Sequence, residues 1–344
     1  MTILDTFNSD SFGVISLTTA LDLIPYQPNW LGNLGIFQRK GITTTVAVIE
    51  SREGRLSIVP RSARGTVTET ENRPNRITRN FTVPHLALTD GILADDVQNI
   101  RAFGSESIVE TLAQKVNDVA VSLRNDIEAT KEFHRHKALE GVTTDPDGTV
   151  IFNFFTEFGT SQQTQDFVFT TATTDIKQVI IDGVIRNMHA ALGGTMFSGI
   201  IGLCGDAWFD NLITHATVES AYARWMDGRL LRTSQIGGAG YFVGPDGQEG
   251  FTYAGVTFFN SRAALGGTSW ITGAECRFFP VGVPQLFQEI DAPADYIETV
   301  NTEGMDFYVK QERMKFDKGI DIEVQSNPLI IPTRPRALIR GTQS

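Results

Sequence analysis

Side chains able to do chemistry are few in this chain, and their spacing organises little of it. Gly202-Leu-Cys-Gly-Asp206 offers the best nucleophile, a thiol where an apolar strand runs into a helix. A nucleophile elbow in thiol form would read Gly-x-Cys-x-Gly, and Asp206 stands where its second glycine belongs. A cysteine hydrolase would also need a histidine base, and no spacing selects His85, His189 or His215. A buried cysteine at a strand end is the simpler reading of Cys204. His134 and His136 lie two apart on a helix and therefore diverge, a poor metal pair that better fits solvated or interface positions. Gly237-Gly-Ala-Gly240 lacks the Gly-Lys-Ser/Thr ending of a phosphate loop and reads as a flexible loop. Asp95-Asp96 precedes a helix, where negative charge is favourable. None of these groupings requires a reaction, a metal or a cofactor, so the chain is not expected to be an enzyme.

Charge is more informative. Between Gly41 and Pro84 lie seven arginines (Arg52, Arg55, Arg61, Arg64, Arg73, Arg76, Arg79), no lysine and four glutamates, inside a chain of net charge −11. Such a segment is either a solvated ribbon or an arm whose guanidinium forks pair with carboxylates on another copy. No aromatic residues are interleaved among these arginines, so a stacking platform for single-stranded nucleic acid is the weakest reading. The overall acidity argues against nucleic-acid binding by the whole surface. A wall that encloses DNA without adhering to it would also be acidic.

The 344 residues suffice for one large domain or two to three modest ones. Apolar runs such as Ile200-Ile-Gly-Leu-Cys204 are far too short to span a bilayer. The Met1-Thr-Ile-Leu-Asp-Thr start has no basic and apolar signal pattern. Cys204 and Cys276 are the only cysteines, and they read as reduced thiols of a cytoplasmic product, with no disulfide expected.

These residues must be carried by elements that do not form a self-contained unit. Residues 1–40 have no sustained period. From Gly41 to Leu88 an alternating pattern turns near Arg61-Ser-Ala-Arg-Gly65 and returns through Ile77, Phe81 and Val83, an edge-type ribbon interrupted by Pro74. A capping box at Ser107 and Glu110, with Ser105 as the competing cap, opens one long helix. Ile108, Leu112, Val116, Val119, Leu123 and Ile127 form its buried stripe; Arg124, Glu128, Glu132 and Arg135 fall on other faces, and Gly141 closes it. Asp147-Gly148 marks a hairpin, Asp175 to Leu192 a second helix, and Gly319 to Ser326 a strand with Ile320, Ile322 and Val324 on one face. Gly183 within the second helix implies a close contact there. Two strands alone are marginally stable, so a ribbon and helix this long should find support on neighbouring copies.

Several stretches resemble the major capsid protein E family of tailed phages, which includes the lambda capsid subunit. They are Ile24-Pro-Tyr-Gln-Pro-Asn-Trp-Leu-Gly-Asn-Leu-Gly-Ile-Phe37, Gly41-Ile-Thr-Thr-Thr-Val-Ala-Val-Ile-Glu50, Pro84-His-Leu-Ala-Leu88 and Phe155-Thr-Glu-Phe-Gly159. The most specific is Ile92-Leu-Ala-Asp-Asp-Val-Gln-Asn-Ile-Arg-Ala-Phe-Gly-Ser-Glu106, and Ile320-Asp-Ile-Glu-Val-Gln-Ser-Asn-Pro-Leu329 extends the match to the last strands.

The resemblance implies an α+β chain with the HK97-type capsid fold. Residues 1–40 would be an N-terminal arm, 41–90 an extended E-loop ribbon, and 91–194 a peripheral domain with its spine helix. Residues 195–290 would be an axial domain, and 291–344 a return to the peripheral domain. The function implied is a major capsid protein, self-assembling through pentamers and hexamers into an icosahedral head around double-stranded DNA. An encapsulin-like nanocompartment shell is the alternative. Arg52, Arg55, Arg61 and Arg64 are the expected inter-subunit contacts. Partners would be further copies, a portal, and separate scaffolding and decoration or cement proteins. Scaffolding would come from a separate protein or from nothing, because the family-like sequence begins near residue 24. No membrane and no sequence-specific DNA contact is expected. The location would be the virion, after assembly in the bacterial host cytoplasm.

Overall fold

A computed structural model of the chain describes residues 30–52, 76–96, 112–230, 241–243, 249–261, 264–265 and 268–344. Helix α1 (Trp30–Asn33) leads into β1 (Phe37–Gly41), β2 (Val46–Arg52), β3 (Arg76–Thr82) and β4 (Leu86–Leu93). The long helix α2 (Leu112–Glu140) follows, then β5 (Val142–Thr144), β6 (Val150–Asn153), α3 (Phe154–Glu157) and β7 (Gln163–Phe167). A continuous helical run comprises α4 (Ile176–Val179), a π-helical stretch (Ile180–Arg186) and α5 (Asn187–Leu192). Next come β8 (Gly199–Cys204), α6 (Asp206–Thr214), α7 (Ala216–Leu230), β9 (Tyr241–Val243), β10 (Glu249–Tyr253) and β11 (Val256–Asn260). The chain ends with β12 (Ala264–Leu265), β13 (Thr268–Ser269), β14 (Glu275–Val281), β15 (Phe287–Asp291), β16 (Tyr308–Arg313), β17 (Gly319–Ser326), β18 (Pro328–Pro332) and β19 (Ile339–Gln343).

Three sheets of three or more strands hold most of these strands, and β2-β3, β5-β6 and β12-β13 pair as two-stranded ribbons. A seven-stranded sheet runs β7-β19-β14-β8-β11-β10-β9, and two three-stranded sheets run β16-β17-β4 and β1-β15-β18. The larger sheet holds the main core, in which Trp208, Phe167, Phe258 and Phe278 pack ring against ring. It draws β7 and β19 from outside the 199–281 stretch that supplies its middle.

Helix α2 explains the smaller core. Its 29 residues span about 43 Å at 1.5 Å per residue. Val116, Ala120 and Ile127, with Val119 and Leu123 at the margin, lie on Ile92, Phe307, Val309, Ile320, Ile322 and Val324. The four-and-three spacing of the helix therefore meets the two-residue alternation of β17, whose neighbours are β16 and β4. Gly141 ends the helix at φ 79°, and a Cβ there would strike the Phe155 ring. The anticipated caps at Ser105 and Ser107 lie outside the described residues.

The second helix starts where the sequence indicates: the Asp175 side chain accepts from the Gln178 N–H. It stops at Gly193, φ 60°. The π-helical stretch was not anticipated. It carries Gly183, where an added Cβ would clash with the Gln165 side chain, so the close contact expected of that glycine is present. Among the described residues, no helix is long and apolar enough to cross a membrane.

Candidate assembly interface

Strands β2 and β3 form a two-stranded antiparallel ribbon from Val46↔Thr82 to Arg52↔Arg76. Alternation gives it two faces: Ala47, Ile49, Ile77, Arg79 and Phe81 share one, Val46, Val48, Thr78, Asn80 and Thr82 the other. The first face is apolar and is covered at its base. Phe81 is buried against Phe152, Phe154 and Phe158 at ring distances of 5.6, 6.2 and 6.2 Å. Arg79 fastens the same end, donating from Nε to the Glu157 carbonyl at 2.8 Å with its guanidinium 4.8 Å from the Phe158 ring centre. Further along, the cover ends. Ile77 on the same face is 41% exposed, and Val48 on the other face 59%. Arg52 sits in the last residue pair of the ribbon, opposite Arg76. Arg55, Arg61 and Arg64 lie outside the described residues.

A second concentration of charge lies inside the molecule, where β1, the second half of α2, β15 and Asp306 converge. Arg135 on α2 donates to Glu289 at 3.0 Å, to Glu128 at 2.9 Å and to Glu132 at 3.2 Å. Lys131, fully buried, meets Glu289 at 3.1 Å, Glu128 at 3.6 Å and also Asp306. From β1, Arg39 reaches Glu289 at 2.8 Å, Asp291 at 3.2 Å and Asp306. Glu132 accepts the Leu31 N–H at 2.8 Å, which ties the α1 turn to the helix. Burial alone would raise the Glu289 carboxyl, but Lys131, Arg135 and Arg39 outweigh it and hold it at about 2. At Asp291 burial wins, and its carboxyl is pushed up to about 7 against the pull of Arg39 and Lys131.

Glu289, Asp291 and Asp306 can each bring one oxygen within 4.8 Å of the others, the spacing of a metal site. The Lys131 ammonium and Arg39 guanidinium already stand among them, so the trio is neutralised by the chain's own cations. The arrangement fastens four segments together; it presents no nucleophile.

The expectation for the histidines of α2 needs correction. His134 and His136 are buried, not solvated, and Arg124, Glu128, Glu132 and Arg135 on the faces beside the apolar stripe are buried as well. His136 packs edge-on to Trp270 with ring centres 5.0 Å apart. Burial, helped by Lys137 and Arg135, lowers its pKa to about 3, so it is neutral. The pairs at 128/131 and 132/135 have helical spacing and could have been noticed. Their partners Arg39, Glu289 and Asp306 lie up to 267 positions from one another in sequence, which no local pattern reveals.

The thiol of Cys204 is not poised for catalysis. It is fully buried, burial raises its pKa well above the ordinary value, and its contacts are Cys276 Sγ and the Gly202 carbonyl. The three histidines weighed as its base are engaged elsewhere: His85 with Asn327, His215 with Thr217 and the Thr171 carbonyl, and His189 with the Phe197 ring. Gly237 to Gly240 lie outside the described residues.

The family model described as phage major capsid protein E matches residues 13–343. The major capsid protein of Pseudomonas phage KPP10 is 26% identical, covering 96% of this chain and 97% of its own length. That of Salmonella phage Felix O1 is 25% identical, with 95% of each chain covered. In fold, the chain is similar to a candidate capsid protein of an E. coli CFT073 prophage (TM-score 0.58, 10% identity, 96% and 99% covered). It is also similar to the capsid of cyanophage P-SCSP1u (TM-score 0.52, 11% identity, 100% and 99% covered). With mixed helices and sheets in an HK97-type fold, and a family match over nearly its full length, the chain belongs to the phage major capsid protein E family and is a capsid shell subunit.

Proposed function

We propose that copies of this chain close an icosahedral head of five- and six-membered rings around a double-stranded DNA genome, without catalysis. In this reading residues 1–40 form an arm passing beneath an adjacent copy, and the 41–90 ribbon lies across the neighbour within a ring. Residues 91–194 and 291–344 make a peripheral domain, and 195–290 an axial domain toward the ring centre. The observation that carries it is the apolar face of the ribbon, covered at Ala47 and Phe81 and uncovered at Ile77. An apolar face that outruns its own support gains stability when a second copy covers it. Heterologous contacts of this kind, repeated by rotation, close rings.

Arg52, Arg55, Arg61 and Arg64 would pair with carboxylates of the neighbour, each pair contributing about 0.2–1 kcal/mol where exposed. With net charge −11 the chain supplies acidic partners in excess. The same acidity suits a wall that holds DNA without sequence-specific contact. Separate scaffolding, cement and portal proteins would complete the particle, assembled in the bacterial cytoplasm. Deletion of residues 52–64 tests the ribbon. Electron microscopy and sedimentation should find subunits or rings and no closed polyhedra; shells of normal size from the deleted protein would overturn its role.

A further inference from the structure

We propose that Cys204 and Cys276 are a latent disulfide, two thiols in the reducing cytosol that join across the seven-stranded sheet once the shell meets an oxidising exterior. The chain has only these two cysteines, 72 positions apart, yet the fold sets them directly opposite each other on β8 and β14. Directly opposed residues of an antiparallel pair point to the same face with Cα atoms about 4.5–5.5 Å apart. That separation falls inside the roughly 4.4–6.8 Å that disulfides span. The sulfurs are already 3.0 Å apart, so bonding needs an approach of about 1 Å.

The surroundings leave room for two sulfurs. A Cβ on Gly202, two positions before Cys204, would come within 3.1 Å of Cys276 Sγ. Gly341, the partner of Cys276 on β19, lies on the opposite flank, and a Cβ there would come within 3.4 Å of Cys276 Cβ. Bare glycines on both sides keep the thiol pair free of a third side chain. Burial raises both thiols, which keeps them protonated and unreactive while the sheet is closed. Reaction therefore proceeds through brief local opening, with a low-molecular-weight disulfide such as oxidised glutathione as the oxidant.

The exchange balances in two steps. The Cys204 thiolate, having lost its proton to water, attacks the small disulfide; its S–S bond breaks and one small thiol leaves. Cys276, deprotonated in turn, attacks the Cys204 sulfur of the mixed disulfide and expels the second small thiol. The two cysteines are oxidised by two electrons, and the small disulfide is reduced to two thiols.

The bond itself follows from the geometry, and only its timing rests on the shell reading. Full-length protein and closed shells are equilibrated over a range of oxidised-to-reduced glutathione ratios, acid-quenched, alkylated in denaturant and weighed intact. The expected product takes up no alkyl group, is lighter by two hydrogens and remains monomeric on non-reducing gels. Its digest contains the Cys204 peptide joined to the Cys276 peptide, a readout that needs no variant. Its melting temperature rises by roughly 5 °C over the reduced form, and Cys276→Ser abolishes the rise. Two alkylatable thiols at the most oxidising ratio, unresolved glutathione adducts or bonds between subunits would each overturn the proposal. A bond that forms in protein unable to build shells would count against the shell reading alone; free thiols in closed, oxidised shells would count against the pair alone.

Discussion

The ribbon of β2 and β3 and the charge network around Lys131 use similar residues to opposite ends. Both place arginines beside oxygen acceptors and aromatic rings. In the network every cation has several carboxylates within reach, supplied by three segments of the same chain: α2, β15 and the stretch holding Asp306. Among the described residues of the ribbon, Arg79 at the base instead meets the Glu157 backbone carbonyl and the Phe158 ring, and the apolar face continues beyond them. The first arrangement pairs its cations within the chain. The second is covered only at its base among the described residues, and in the proposed reading a neighbouring copy covers the rest. A shell subunit needs both, because an overreaching arm transmits a neighbour's position only if its own root is fixed.

The largest effect should come from removing one anion from the charge network. Glu289 is shared by Lys131, Arg135 and Arg39, so Glu289→Ala leaves three buried or half-buried cations short of a partner. Breaking a buried pair from one side costs about 3–5 kcal/mol. Urea unfolding of the unassembled subunit should show that loss; a change below about 1 kcal/mol would mean the network is no more than surface decoration. A smaller effect of the opposite sign is expected at Asp291, whose carboxyl is lifted from its ordinary 3.8 to about 7 by burial. In the unfolded chain this group ionises first, so folding becomes less favourable as pH climbs from about 4 to 7. Asp291→Asn removes that slope. The variant should match the native protein near pH 4 and exceed it at pH 8 by on the order of 1–2 kcal/mol. Buried neutral His136 gives a slope of the other sign below its ordinary 6.5, but it is common to both proteins and cancels in their difference. Glu289, held at about 2, likewise loses its contribution only as pH falls from 4.5 toward that value in both.

The same contrast explains which parts of the molecule were legible from sequence. The stripe from Val116 to Ile127 and the alternation of Ile320, Ile322 and Val324 are local periodicities, and they meet as expected because each names a buried face. Gly141 and Asp175 are local caps, and both hold. The ribbon was readable for the same reason, since its β-branched alternation is written in adjacent residues. The burial of the polar half of α2 was not legible because charge within a short window looks solvated whichever way it points. Only the folded chain brings Arg39 and Glu289 to it, 250 positions apart from each other. Nor does any local signal give the π-helical register at Ile180–Arg186.

The smallest effect on the subunit itself, and the sharpest on assembly, should come from the uncovered stretch of the ribbon. Ile77 extends the apolar face that begins at Phe81, whereas Val48 lies on the reverse face beside Asn80 and Thr78. Both are substantially exposed, so Ile77→Asp and Val48→Asp should each change subunit stability by no more than about 0.5 kcal/mol. Their effects on assembly should differ. If the ribbon docks by the face that Phe81 roots, a carboxylate at position 77 places an unpaired charge in the contact, which costs far more than its loss of apolar area. Ile77→Asp should then suppress closed shells while Val48→Asp leaves most of the yield, as read by sedimentation of matched preparations. Equal loss from both would mean that the ribbon is sandwiched and buries its two faces together. Normal shells from both would mean that it stays in solvent, and the ribbon would then be merely a less fully covered part of the same subunit.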